Sequence, residues 1–147
     1  MAQQDACTLL DEDHNKVARL FQQFKAAPQP HHKRLLAQQI CQELTVHTRI
    51  EEEIFYPAFR KATGDEDVVQ ESEREHQEAR RLIAQLEGAA TPDDRTMLEL
   101  EDAILHHVND EREKMFPQAR KARNLDLFAL ADQLEQRKAE LLAPHAA

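Results

Sequence analysis

Residues 47–57, HTRIEEEIFYP, are answered sixty positions later by residues 107–117, HVNDEREKMFP. Each stretch places a Glu four residues after a His (His47 and Glu51, His107 and Glu111), a second carboxylate two residues later (Glu53, Glu113) and a Pro four beyond that (Pro57, Pro117). Upstream of each lies a lone His with matching neighbours. His14, followed by Arg19, Leu20, Phe21, Gln23 and Phe24, corresponds to His76, followed by Arg81, Leu82, Ile83, Gln85 and Leu86. The chain therefore writes one pattern twice, and the pattern consists of metal-ligating residue types at fixed offsets.

The composition agrees with helices and excludes several classes. The chain has 147 residues, only two Gly, 5% aromatic residues and a formal charge of −9. Abundant Ala, Leu, Glu, Gln, Lys and Arg favour helix over sheet, and the length suits a single domain over residues 1–147. The acidic balance, with no basic stripe, argues against nucleic acid as a partner. No long apolar run and no signal-peptide pattern occurs, so a soluble, cytoplasmic protein with no membrane partner is expected. Cys7 and Cys41 form neither a disulfide framework nor a Cys-x2-Cys pair, which suits a reducing compartment.

Periodicity and punctuation predict an all-α protein of five helices. The first runs from an N-cap at Thr8 to the break at Ala27-Pro28. The second starts near Pro30 and stops before Gly64, and the third spans Glu66 to Gly88. The fourth opens on Thr91 as N-cap with Pro92 at its first position, and reaches Lys121. The fifth, Leu125 to Leu142, is capped by Asn124. Short connections make the first four, about residues 8–122, an up-down-up-down bundle built from a duplicated helical hairpin. The additional C-terminal helix, about residues 125–142, has no counterpart in the repeat. It either covers the bundle or meets another subunit or a protein partner, as in a homodimer. Pro57 and Pro117 are expected to kink their helices and free the carbonyls of Glu53 and Glu113, or to end the helices early.

Residues three, four and seven apart share a helical face. On that rule His14 lies with Leu10, Val17, Phe21 and Phe24, and His47 with Ile40, Leu44, Ile54 and Phe55. His76 lies with Val69, Ala79, Ile83 and Leu86, and His107 with Leu100, Ile104 and Met115. All four histidines point inward, and Glu51 and Glu111 follow one turn on, roughly 6 Å along the axis. One inward His is more often a hydrogen-bonded core residue than a ligand, and His-x3-Glu alone is common. Six such residues in two matching copies, with two carboxylates that burial would penalise by several kcal/mol each unless compensated, select metal binding.

With these residues the chain resembles the hemerythrin-like, or HHE cation-binding, family over about residues 8–122. The resemblance implies a non-haem di-iron centre, two iron ions with an oxo bridge, inside the bundle. It makes His14, His47, His76 and His107 terminal ligands and Glu51 and Glu111 bridging carboxylates. Imidazole and carboxylate suit iron on general grounds and also admit manganese or zinc. Oxygen-carrying hemerythrins have a further histidine one turn after the third-helix ligand, where this chain has Arg80. The histidines then divide two and two, which leaves open coordination at both metals. That departure brings the chain closer to hemerythrin-like proteins of nitric oxide or peroxide responses, iron sensing and repair of iron centres. The repair proteins add a cysteine-bearing N-terminal domain, and no such domain is expected from the few residues before the first helix here.

The implied function is binding, sensing or reaction of a small ligand (O2, NO or peroxide) at open iron sites. The alternative is an iron-sensing or iron-donating interaction module without turnover. No separate acid, base or substrate pocket names a reaction. Among other candidates, His106 sits about 100° from His107, near Asp102, Asn109 and Asp110, and reads as solvated or as a neighbour of a ligand. His31, His32 and His145 read as surface residues, as do Glu52, Glu53 and Glu113, with Arg49 and Lys114 as partners. Tyr56, nine positions after His47, falls on nearly the opposite side unless Pro57 bends the helix strongly. Phe55 and Met115, each four beyond a bridging Glu, either line a ligand pocket or pack in the core. Arg80 either steers an anion towards the metals or extends outward, and outward is expected because no buried partner is evident.

Overall fold

The computed structural model describes residues 4–143, so His145 lies outside the described residues. Helix α1 (Ala6–Ala26) turns at Ala27 into α2 (Pro30–Ile50), which passes through a π-helical turn (Glu51–Phe55) into α3 (Tyr56–Thr63). Helix α4 (Glu66–Glu87) is followed by α5 (Asp94–Asp110), a second π-helical turn (Glu111–Met115) and α6 (Phe116–Lys121). Helix α7 (Leu127–Leu142) closes the described chain. The runs α2–α3 and α5–α6 each serve as one long rod. With α1 and α4 they form the four-helix bundle, α1 against α2 and α4 against α5.

Aspartates cap four of the helices. Asp5, Asp65, Asp93 and Asp126 accept from the backbone N–H of Thr8, Val68, Arg95 and Ala129, supplying partners for donors that a first turn leaves unpaired. Three expected caps are thereby corrected. Thr8 lies within α1, Thr91-Pro92 falls in the connection before Asp93, and Asn124 precedes the cap at Asp126. Each displaced residue is a competent capping type, but the neighbouring carboxylate is the group that reaches the free N–H. At the other end of α3, Gly64 takes φ 71°, a left-handed C-cap suited to glycine.

The two prolines do not end their helices, and each follows a π-helical turn. The Tyr56 N–H bonds the Glu51 carbonyl and the Phe116 N–H bonds the Glu111 carbonyl, one residue wider than an α turn. In an α-helix each proline ring would collide with the carbonyl four residues back. A wider turn just before it relieves that collision and lets the helix continue. The extra residue also rotates the side chains beyond it. Tyr56 and Phe116 stand as if eight positions after their histidines, on the inward face, and both are buried.

Two apolar clusters fill the bundle, and the histidines lie between them. One holds Val17, Phe21, Leu44, Ala79, Ile104 and Val108; the other holds Leu10, Ile50, Phe55, Tyr56, Val69 and Met115. Along every rod the sequence passes from one cluster through a His to the other. Helix α7 lays Leu130, Ala131 and Leu134 onto the second cluster, against α1, α2 and the first π turn. Of its two expected roles, covering the bundle is the one this packing shows. No helix among the described residues is long and apolar enough to cross a membrane.

Leu134 is fully buried, whereas Phe128 on the outer side of α7 is 55% exposed. Leu134→Ala should lower stability by about 2–5 kcal/mol, and Phe128→Ser should change it by less than about 0.5 kcal/mol. Urea unfolding of the two variants checks this, and a small change in both would mean that α7 does not stabilise the bundle.

Candidate metal centre

The four inward histidines pair across the helices. His14 and His47 have ring centroids 4.8 Å apart, and His76 and His107 have theirs 4.6 Å apart. Glu51 and Glu111, both with no exposure, span the two pairs. Glu51 turns Oε2 to His47 Nε2 (3.4 Å) and Oε1 to His76 Nε2 (3.0 Å). Glu111 turns Oε1 to His14 Nε2 (3.0 Å) and Oε2 to His107 Nε2 (3.5 Å). All six residues singled out from the sequence therefore meet in one cluster, with the histidines divided two and two.

Each imidazole presents Nε2 to the centre because a carboxylate holds its Nδ1. The partners are Asp11 for His14 (2.9 Å), Asp13 for His47 (3.1 Å), Glu52 for His76 (2.6 Å) and Glu75 for His107 (2.8 Å). Such outer carboxylates fix the tautomer and ring orientation of a metal-binding His and raise its basicity. Cations back three of them: Arg112 donates to Asp11, Lys138 of α7 to Asp13 and Arg80 to Glu52. Arg80 is thus turned outward, 44% exposed, as expected.

Reading single helices missed this outer shell. Glu52, taken for a surface charge, is half-buried against His76, and Asp13 is 7% exposed against His47. A signal was present: an acid immediately precedes each lone histidine, as Asp13-His14 and Glu75-His76, at the repeat offset. Tyr56 is the larger correction. The π turn brings its hydroxyl inward to donate to Glu111 Oε2 at 2.7 Å, with His76 Nε2 at 3.1 Å and Glu51 Oε1 at 3.2 Å. Its ring stacks on His76, as that of Phe116, its counterpart in the repeat, stacks on His14.

The other candidates fall mainly where the sequence put them. His31 and His32 are exposed, though on the first turn of α2, and Glu113 is exposed. Glu53 accepts from Arg49, and also from Arg137 of α7, whereas Lys114 pairs with Asp110. Phe55 and Met115 pack in the second core cluster. A cavity of about 150 Å³ lies instead on the other side of His14, flanked by Ala18, Phe21, Ile104, Val108 and Arg112.

Four buried atoms of the cluster have no hydrogen-bond partner among the described residues: His14 Nε2, His47 Nε2, Glu51 Oε2 and Glu111 Oε1. These residues offer ligand atoms within 4.8 Å of one another, and Glu51, His76 and His107 form a second such group. Atoms this close, buried and misaligned for hydrogen bonding suit a shared central cation, and imidazole with carboxylate is a donor set for divalent first-row metals.

Protons partly compensate the charges in the metal-free chain. Burial opposes charge on His47, but Glu51 and Asp13 outweigh it and raise its pKa to about 10. Burial likewise opposes charge on His14, and Asp11 and Glu111 raise its pKa nonetheless. For Glu51, burial pushes upward, yet His47, His107 and His76 hold the carboxyl well below the usual range. Burial, followed by the charges of Glu111 and Glu51, drives Tyr56 well above the usual phenol value, so the hydroxyl keeps its proton.

Comparisons with known proteins agree with this geometry. A family model described as the hemerythrin HHE cation binding domain matches residues 5–119. A relative from Nostoc sp. described as a DNA nickase is 33% identical over 107 residues, covering 71% of this chain. The chain spans only 30% of that protein's length. The crystal structure of a hemerythrin HHE cation binding domain-containing protein from Mycobacterium kansasii matches with a TM-score of 0.80 at 21% identity. The match covers 95% of this chain and 88% of that one, and shows the shared fold.

His47 binds its proton more tightly folded, at about 10, than at its ordinary value of 6.5. The native state then holds more protons between those values, so this contribution to stability is complete below 6.5 and lost as pH rises through about 10. Chelator-treated protein should accordingly lose stability to alkali across that window, and His47→Gln should flatten the dependence. Urea unfolding at a series of pH values measures both slopes; identical slopes would remove the buried imidazolium from the account.

Proposed function

The chain belongs to the hemerythrin HHE cation-binding family, and from that premise we propose that it is a non-haem di-iron protein that binds, senses or reacts with a small molecule such as O2, NO or peroxide. One iron would be held by His14 and His47, the other by His76 and His107, with Glu51 and Glu111 bridging. The four orphaned buried atoms on His14, His47, Glu51 and Glu111 carry this reading. Polar groups that burial has stripped of water and hydrogen bonds need a compensating partner, and a bound cation meets all four at once. Bound iron would supply the redox chemistry with the small ligand.

The protein's own contribution is legible in the surrounding residues. Asp11, Asp13, Glu52 and Glu75 keep the four Nε2 atoms facing the centre. Phe55, Met115 and Phe116 exclude water on one side. Tyr56 places a protonated hydroxyl against Glu111, Glu51 and His76, where it serves as a hydrogen-bond or proton donor. Phe116, at the matching place, offers no such group to His14. The surroundings of His14 and His76 are therefore unequal. The cavity beside His14, lined by Phe21, Ile104 and Val108 together with Glu101 and Arg112, adjoins that side.

Metal analysis and visible spectra of protein purified without a metal-binding tag test this reading. A pair of irons per chain, with absorption that responds to reduction, air, NO or peroxide, is expected. Glu51→Ala or Glu111→Ala should lose the pair, whereas Glu53→Ala and Glu113→Ala should keep it. Equal metal content and identical spectra in all four variants would overturn the bridging roles. Failure to take up ferrous iron anaerobically would overturn the di-iron reading.

A further inference from the structure

The repeat is broken in one place that the central site does not use. In the first half, the carboxylate beside His47 belongs to Asp13, whose other oxygen accepts from Lys138 of α7. Around it, Leu9, Val46 and Ile50 are buried in the cluster that α7 completes. In the second half, Glu75 holds His107 in the same way, but among the described residues α7 has no counterpart there. The positions matching Leu9, Val46 and Ile50 are Glu71, His106 and Asp110, at the repeat offsets of 62 and 60.

These polar residues converge. Glu71, Glu75, His106 and Asp110 each offer one ligand atom, all within 4.8 Å of one another. His106 Nε2 lies 3.2 Å from Glu75 Oε2 and 3.4 Å from Asp110 Oδ2. Glu75 is 10% exposed, and its Oε2, aimed into this group, is buried without a hydrogen-bond partner. Arg74 pairs with Glu71, and Lys114 lies 3.6 Å from Asp110 Oδ1. Glu75 is then the carboxylate of the three with no Lys or Arg on it among the described residues. A cavity of about 260 Å³, lined by Val68, Glu71, Ser72 and Asp110, leaves room beside the group for water ligands.

We propose that Glu71, Glu75, His106 and Asp110 form a separate site for one divalent first-row metal ion, at the surface of the α4–α5 hairpin. The ion takes the place at Glu75 that the Lys138 ammonium takes at Asp13. Three carboxylates and one imidazole suit Fe²⁺, Mn²⁺ or Zn²⁺. Glu75 binds the ion through Oε2 while Oε1 still accepts from His107, so the surface ion sits one carboxylate away from the centre. His106, which the central cluster leaves out, becomes a ligand.

The test uses the full chain, loaded with iron, dialysed free of excess metal and titrated with Mn²⁺, with free Mn²⁺ followed by electron paramagnetic resonance. One further equivalent should bind per chain. His106→Ala and Glu71→Gln should weaken it by about tenfold or more, while retained iron and its visible spectrum stay unchanged. Absence of that equivalent, or undiminished binding in both variants, overturns the site. If the chain holds no iron, the di-iron reading fails by itself and the titration still decides here. An equivalent lost in His106→Ala but kept in His47→Ala supports the surface site, and one lost only in His47→Ala overturns it.

Discussion

Glu51 and Glu111 lie with no exposure between two apolar clusters, and the surrounding arrangement answers that constraint. Removing a carboxylate from water is unfavourable by several kcal/mol unless charge and hydrogen bonds replace the lost solvent. The four imidazoles supply the first answer, and Asp11, Asp13, Glu52 and Glu75 orient those imidazoles. Arg112, Lys138 and Arg80 then neutralise three of the four outer carboxylates. Charge alternates in sign from the axis of the bundle to its surface. Each layer makes the one inside it tolerable.

Duplication supplies two similar halves, and their differences matter more to chemistry than their likeness. Tyr56 and Phe116 occupy equivalent inward positions and stack on His76 and His14, but only one carries a hydroxyl. Helix α7 covers one flank alone, so the outer shell of His47 is closed by Lys138 while that of His107 opens towards His106. A symmetric pair of hairpins would build a centre with two equivalent positions. These substitutions give each position a different neighbour.

The helices and the six inward residues were legible because both follow the 3.6-residue period, which reads directly from one segment. Helix starts were less legible: Thr8, Thr91 and Asn124 share their capping chemistry with nearby aspartates, and only backbone geometry decides between them. Asp13, Glu52 and Glu75 escaped for a different reason, whereas Asp11 stands three residues before His14 on the same helix. Asp13 lies about 100° from His14 on its own helix, and it serves His47 on another. A partner across helices leaves no trace in the period of either. The Asp13-His14 and Glu75-His76 dipeptides were the available hint, because their repetition marks the acid as belonging to the pattern.

Tyr56 failed the sequence reading because the α period itself does not hold there. The π turns begin at Glu51 and Glu111, the two residues whose placement the centre most depends on. Pro57 and Pro117 make the departure inexpensive, since a proline already removes a donor from the α ladder and collides with the carbonyl four residues back. The wider turn then stacks residues five apart. That is why Glu51 and Tyr56 face the same point, with the Tyr56 hydroxyl 3.2 Å from the Glu51 carboxylate. An uninterrupted α-helix would carry the phenol to the far side and leave the same composition without this donor. The local irregularity is therefore what joins an aromatic residue to the carboxylate cluster.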